Sequence, residues 1–458
     1  MTATVELPVW LFVLILAFAG VTFASHFLLP SVRWFFRRRM ERVVARLNQR
    51  LERPIEPFKL ARRYDMIQRL CYDPEVARAI AEHARAKGIP ENVAFQQARR
   101  YAREIVPRFS ATAYFGFATR AAKWLSLALY RVRIGAHDEA AYNRISRDAT
   151  LVFVMNHRSN MDYVLVTWIA AERSALAYAV GEWARVWPLS GLIRAMGAYF
   201  IRRRVPDELY RRVLARYVGL ATDGGVAQAV FPEGGLSLDG TLARPRLGIL
   251  KYIVEERSAQ GRDVVFVPVA LNYDRVFEDR VLVAAAERGE RRFPARISVV
   301  ARFVLLQLRL WLKRRYHRHG EAAVSFGVPL SLNEFTARNG DTTIEALGAR
   351  LMREIGAQMP VLSVPLVAHL LVRAGGPVSL QTLTERAGAL LDRLPPAQRP
   401  GAGAASAVTA GLDVLRRRGL LDETGPGIAP AAGARSLIGF YANSIVHLTA
   451  HLTVDNTG

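Results

Sequence analysis

Cysteine is almost absent from this 458-residue chain, where Cys71 stands alone. An intramolecular disulfide is therefore excluded, and a reduced compartment fits such usage. A lone cysteine without catalytic neighbours reads as a small buried hydrophobe. Acids are scarce too, 40 Asp and Glu against 63 Lys and Arg, which leaves a formal net charge of +23. That excess is chiefly arginine spread along the chain, and it favours polyanions: anionic headgroups, phosphorylated substrates, acidic carrier proteins or nucleic acid. Charge alone does not choose among them. No internal repeat, dinucleotide-binding glycine fingerprint, phosphate loop or zinc-ligand spacing occurs. What the chain does have is 51% hydrophobic residues, ample for a packed core, and length for two or three domains.

Charge is also missing from Leu7 to Leu29, a run of roughly 23 residues that would cross about 30 Å of hydrocarbon as a helix. Glu6 precedes it and no cleavage pattern follows, unlike a signal peptide. Arg33, Arg37, Arg38, Arg39 and Arg42 lie beyond it, with Trp10, Trp34 and Phe35 flanking. The positive-inside rule then predicts a single-pass protein of the inner (plasma) membrane with its bulk in the cytoplasm. A buried core helix is the alternative.

Helical, alanine-rich patterns such as Glu75–Lys87 and Asn92–Ile105 predict a helical N-terminal domain over 57–135. Over 136–330 short apolar runs alternate with helical stretches: Leu151–Met155, Leu176–Val180, Ala198–Ile201, Val226–Phe231, Val264–Ala270, Ile297–Ala301 and Ala323–Phe326. Such alternation predicts an α/β domain, a mixed, largely parallel sheet flanked by helices. Residues 302–318 form a basic amphipathic segment suited either to a headgroup layer or to a core-facing helix with a solvated face. The remainder, 331–458, reads as mainly helical, and Val361–Val372 as a buried helix. Helices over Val378–Leu394 and Ala407–Leu421, followed by Arg418-Gly419-Leu420-Leu421, suggest a winged-helix module. No recognition helix with clustered base-reading side chains stands out, so nucleic acid is set aside as a partner.

Chemistry concentrates where strands should end. Behind Leu151–Met155 comes Asn156-His157-Arg158-Ser159-Asn160-Met161-Asp162-Tyr163, which places a histidine and an aspartate at a strand-to-helix turn, with Ser159 and Asn160 available to cap the helix. A neutral imidazole can take a hydroxyl proton near neutral pH while a carboxylate on its other nitrogen fixes the tautomer. A His-x4-Asp pair is also a common structural arrangement. Three further blocks follow in order: Gly197-Ala198-Tyr199-Phe200-Ile201-Arg202-Arg203-Arg204, Phe231-Pro232-Glu233-Gly234-Gly235, and Val267-Pro268-Val269-Ala270-Leu271-Asn272-Tyr273-Asp274-Arg275. In α/β sheets ligands sit beyond the carboxyl ends of strands, where all four blocks fall.

These blocks in this order resemble the glycerol-phosphate acyltransferases, and most of all the glycerol-3-phosphate 1-O-acyltransferase branch of the glycerolipid acyltransferase superfamily. Val324-Ser325-Phe326-Gly327-Val328-Pro329-Leu330 and Phe440-Tyr441-Ala442-Asn443-Ser444-Ile445-Val446-His447-Leu448 agree with that branch. The resemblance implies acyl transfer from a coenzyme A or acyl-carrier-protein thioester to the sn-1 hydroxyl of glycerol 3-phosphate, beside a bilayer with anionic headgroups. It implies no cofactor beyond that co-substrate, and no metal. His157 would be the general base and Asp162 its orienting partner. Arg202 and Arg203 would clamp the phosphate. Glu233 would bond glycerol hydroxyls or fix the arginines, with Gly234 and Gly235 letting backbone N–H groups approach an anion. Ser237 completes that block, Tyr273 and Arg275 would line the acyl or donor pocket, and Phe231 and Pro232 read as turn packing.

One departure matters: the family carries arginine after the glycines, and this chain has Leu236 there. Arg244 and Arg246 are the nearest cations downstream. Two rival functions stay open, a lysophosphatidate acyltransferase using the same base and a membrane-tethered adaptor with a decayed site.

Overall fold

The computed structural model describes residues 8–23, 29–171, 175–180, 189–202, 207–258, 261–290, 318–339, 343–423 and 427–449. Residues 1–55 form one unit and residues 56–458 another.

In the first unit, the stretch expected to be one membrane-spanning helix over 7–29 is described in part, with residues 7 and 24–28 outside the described residues. A helix runs Val9–Phe23, and a second, Leu29–Asn48, begins at the far end of the stretch and continues through its arginines. Among the described residues no helix is long and apolar enough to cross a membrane.

The second unit opens with helices, and local chemistry fixes their ends. Helix Pro74–Lys87 starts at Asp73, whose side chain accepts from the Glu75 N–H, with Pro74 at the first position, where no N–H is needed. It stops at Gly88, whose φ of 62° is the left-handed cap that glycine adopts freely. Val76, Ile80, Ala94, Ala98 and Ile105 close the seam between this helix and Glu91–Ile105. Arg216 ties Asp73 to Glu256, at 2.9 and 3.3 Å, so the helical layer is clamped to helix Glu208–Asp223.

At the centre lies an eight-stranded mixed sheet: β1 (Arg131–Ile134), β2 (Thr150–Met155), β3 (Ala177–Val180), β4 (Tyr199–Phe200), β5 (Gln228–Val230), β6 (Val264–Tyr273), β7 (Glu321–Phe326) and β8 (Leu330–Ser331). The order is β1-β7-β6-β2-β5-β3-β4, with β8 also on β6. All pairs are parallel except β7 and β8 on β6. Continuous apolar runs belong to strands covered on both faces, and β2 and β6 are buried at every position. Strand β1 has no such run; its Arg131 and Arg133 alternate, and Arg133 pairs with Glu321 on β7. It therefore escaped the sequence reading, which had continued the helical region through it. The strand expected at Ile297–Ala301 and nearly all of the segment 302–318 lie outside the described residues.

Beyond the sheet, helix Ser363–Ala374 is buried along most of its length. Helix Ala404–Arg417 packs on it so closely that a Cβ on Gly411 would fall 2.4 Å from the Ser363 carbonyl. With helix Leu380–Asp392 and the short hairpin Leu421–Asp422 with Ala429–Pro430, this gives the helix, helix and hairpin order of a winged helix. The last described helices are Arg435–Asn443 and Val446–Thr449. Cys71 is buried at 2% exposure, as a small hydrophobe.

Candidate active site

Strand β2 ends at Met155 and helix Met161–Ala170 begins six residues later. Asn156 anchors the turn between them to β6: its Nδ2 donates to the Leu271 carbonyl at 2.9 Å and its Oδ1 accepts from the Leu271 N–H at 2.8 Å. The turn then brings His157 back over the first helical turn, where Asp162 sits. His157 Nδ1 lies 2.9 Å from Asp162 Oδ2. As a carboxylate Asp162 only accepts, so Nδ1 carries the proton and Nε2 keeps its lone pair. Nε2 has no hydrogen-bond partner among the described residues.

Asp162 is fully buried, and four donors hold it. Besides the imidazole, Oδ2 accepts the Arg158 and Ser159 N–H groups at 2.7 and 3.0 Å, and Oδ1 accepts the Tyr273 hydroxyl at 2.6 Å. The orienting carboxylate thus needs no water. The capping expected of Ser159 and Asn160 is only half met. Ser159 Oγ does accept from the Met161 N–H at 3.1 Å, but the Asn160 side chain turns to Glu278 instead.

Next door, β5 ends in the Phe231–Gly235 turn. Glu233 Oε1 accepts the backbone N–H of His157 at 3.0 Å, and Oε2 accepts that of Ala243 at 3.3 Å. Its carboxylate is spent on positioning the histidine's backbone, which departs from the expected bonding to glycerol hydroxyls. Burial raises the Glu233 pKa, against the opposing pull of the Arg158 guanidinium. Gly234 takes φ 68°, a turn conformation that glycine supplies without strain, and Gly235 follows half-buried. The Ser237 N–H donates to the His157 carbonyl at 2.9 Å, while its hydroxyl donates to the Thr241 carbonyl. Glu233 and Ser237 therefore grip the histidine from both its N–H and its C=O.

Not every expected residue joins them. Arg202 is held in a two-pronged pair with Glu104, at 2.8 and 2.6 Å, and lies over the rings of Tyr101 and Tyr210. Its guanidinium is already engaged, contrary to its expected role as a free phosphate clamp. Arg203 lies outside the described residues. Tyr273 is 1% exposed with its hydroxyl on Asp162, so it supports the carboxylate instead of lining an open acyl pocket. Of the two downstream cations, Arg246 comes to the site. Its N–H donates to the Pro232 carbonyl, and a Cβ on Gly234 would fall 2.6 Å from its Cδ.

Sequence reasoning missed several members. Phe231 does more than pack a turn: its ring lies 4.2 Å from the His157 imidazole, and Tyr163 meets the same imidazole edge-on at 5.4 Å. Arg158 is buried, donating to the Gly240 carbonyl and, at 3.5 Å, to that of Ser444. Glu278 takes the Ser159 hydroxyl at 2.8 Å and the Asn160 N–H and Nδ2 at 3.1 and 2.8 Å. The available signal for Glu278 was an acid at the exit of β6, next to the strand that carries the histidine.

Residues 138–272 match the family model described as Acyltransferase, and residues 304–452 match the model described as Glycerol-3-phosphate acyltransferase C-terminal region. The glycerol-3-phosphate acyltransferase of Ectopseudomonas mendocina (strain ymp) is 29% identical over 280 residues, 60% of this chain and 32% of that protein. The protein of that name in Alteromonas mediterranea is 26% identical over 301 residues, 65% of this chain and 36% of its own length. This chain thus spans about a third of the length of the curated relatives it matches. Among solved structures, the 1-acyl-sn-glycerophosphate (LPA) acyltransferase of Thermotoga maritima aligns with a TM-score of 0.32 and 19% identity, over 54% of this chain and 80% of that one.

Proposed function

Because this chain belongs to the glycerol-3-phosphate acyltransferase family, we propose that it moves a fatty acyl group from an acyl thioester to the sn-1 hydroxyl of glycerol 3-phosphate. The observation that carries this reading is the His157 Nδ1 to Asp162 Oδ2 bond of 2.9 Å, with Nε2 left without a partner among the described residues. Nε2 takes the hydroxyl proton as the glycerol oxygen forms its bond to the thioester carbonyl carbon. The tetrahedral intermediate then breaks its C–S bond, and the imidazolium returns the proton to the departing thiolate. The substrate itself supplies the nucleophile, so no serine or cysteine has to be activated. Asp162 stabilises the imidazolium, and Glu233 and Ser237 keep the ring from drifting.

The acceptor phosphate goes to Arg203 and Arg246. Arg246 is supported by its stem crossing Gly234 on the exposed side of the turn. It stands in for the arginine that the family places where this chain has Leu236. The donor is acyl-coenzyme A or acyl-carrier protein, and the reaction calls for no further cofactor. Attachment to an anionic membrane surface completes the reading. Trp10, Phe12, Leu14, Leu16 and Phe18 of helix Val9–Phe23 are all more than half exposed, an apolar surface of the kind that lipid covers.

The test offers labelled glycerol 3-phosphate and lysophosphatidate in parallel, with a long-chain acyl thioester and His157→Ala as control. Transfer to glycerol 3-phosphate that falls at least about a hundredfold in the variant is expected. Transfer to lysophosphatidate alone, or activity untouched in the variant, refutes the assignment.

A further inference from the structure

A cavity of about 440 Å³ opens beside the exit of β6, lined by Arg275, Phe277, Glu278, Asp279, Arg280, Val281, Arg417 and Arg418. Four of these eight side chains are guanidinium groups. Both acids are already committed: Glu278 to Ser159 and Asn160, and Asp279 to Arg418 and the Tyr441 hydroxyl. Arg418 is likewise spent on Asp279 and Tyr441. The side chains of Arg275, Arg280 and Arg417 make no hydrogen bond or ion pair among the described residues. Burial, and then the neighbouring charge of Arg418, depress the Arg275 pKa against the opposing pull of Asp279, a carboxylate already bonded to Arg418 and Tyr441.

The place of the cavity is as telling as its charge. Strands β2 and β6 are parallel neighbours near the middle of the sheet, so His157 and Arg275 leave it at the same edge, where α/β sheets bind ligands. One carboxylate, Glu278, is both a wall of the cavity and the holder of the turn that carries His157. Glu233 and Arg246 lie on the other side of that turn, at the exit of β5. The cavity's volume is ample for a phosphorylated small molecule or the phosphate-bearing end of a larger one. Arginine forks match phosphate oxygens two at a time.

We propose that this arginine-lined cavity, built jointly by the exit of β6 and by Arg417 and Arg418 from the C-terminal region, is a second anion site that takes a phosphate ester on the opposite side of the His157 turn from Glu233. Which substrate of the reaction brings that phosphate rests on the acyl-transfer reading; the site itself does not.

The experiment is calorimetric titration of the full chain with inorganic phosphate, glycerol 3-phosphate and coenzyme A. Arg275→Gln and the double variant Arg280→Gln/Arg417→Gln are compared with the parent, and circular dichroism confirms that each is folded. Arg280 and Arg417 are exposed, so their replacement leaves the packing intact. At least one phosphate probe is expected to bind about tenfold more weakly to both variants. Loss confined to coenzyme A assigns the site to the donor; loss of glycerol 3-phosphate assigns it to the acceptor. Affinities within about twofold of the parent for all three probes overturn the proposal. Phosphate affinity lost in these variants, in a protein that transfers no acyl group, would sink the acyl-transfer reading and leave this site standing.

Discussion

Replacing Asp162 by Asn isolates charge from geometry, because the surrounding donors tolerate the amide in one orientation. Its oxygen takes the place of Oδ2 and keeps the bonds from His157 Nδ1, Arg158 N–H and Ser159 N–H. Its NH2 takes the place of Oδ1 and meets the Tyr273 hydroxyl, which can rotate to accept. The histidine therefore keeps its tautomer and position. What disappears is the negative charge that stabilises the imidazolium. With charge centres about 4 Å apart and an effective dielectric near 20, that attraction is about 4 kcal/mol. At 1.36 kcal/mol per decade, kcat falls about a thousandfold while the KM for the acceptor stays within about threefold. Tyr273→Phe added to this variant strands the amide NH2 and deepens the loss by about tenfold. The assay is steady-state acyl transfer, with thermal unfolding to show that both variants are folded. If Asp162→Asn keeps more than a tenth of the parent kcat, the base-and-carboxylate argument is wrong.

Glu278→Gln keeps an acceptor for Asn160 but leaves the Ser159 hydroxyl without its own, so the turn carrying His157 loosens. One such bond is worth about 1 kcal/mol, and kcat should drop roughly fivefold to tenfold with little change in KM; a reduced KM-side affinity with unchanged kcat would contradict it. Gly240→Ala puts a Cβ 1.8 Å from the Phe440 carbonyl at a φ of 85°, so denaturant titration should show a loss above about 3 kcal/mol. His319, His369 and His447 are held down to about 4. Burial is the largest cause in each, joined by Arg275 and Arg418 at His319, Arg373 at His369 and Arg158 at His447. The unfolded chain binds these protons near pH 6.5, so the stability they confer is complete above 6.5 and is lost as pH falls toward 4, by up to about 3 kcal/mol per histidine. Asp274 opposes them: burial raises it to about 6, so its contribution is lost as pH rises from 3.8 to 6. Three groups outweigh one, and unfolding free energies at pH 7, 6 and 5 should decline, less steeply in His369→Leu. An unchanged slope in that variant would refute the assignment.

What the sequence revealed was local, and what it hid was long-range. The strand exits were legible because a continuous apolar run followed by glycine or polar residues marks where chain leaves a covered sheet. The His157 and Asp162 spacing was legible because both lie within one turn of a single helix start. By contrast Arg202 looked like a free phosphate ligand until Glu104, 98 residues earlier, was placed against it. Tyr273 looked like a pocket wall until its hydroxyl met Asp162, 111 residues earlier. Neither pairing leaves a trace in spacing, since a strongly basic chain offers each acid many equivalent partners.

The C-terminal region shows most clearly why partners mattered more than motifs. Arg158 sits beside His157 yet donates to Gly240 and to Ser444, 286 residues away. Tyr441 accepts the Val276 N–H at 3.0 Å and donates to Asp279, next to the Glu278 that holds Ser159 and Asn160. A buried arginine is costly to leave unpaired, so removing the segment around Ser444 would strip a partner from the residue that follows His157. The region beyond the sheet is therefore a part of the scaffold of the candidate site. A domain cut after β8 would expose Arg158, lose two arginines of the cavity, and leave Glu278 holding the His157 turn beside an Asp279 stripped of Arg418 and Tyr441.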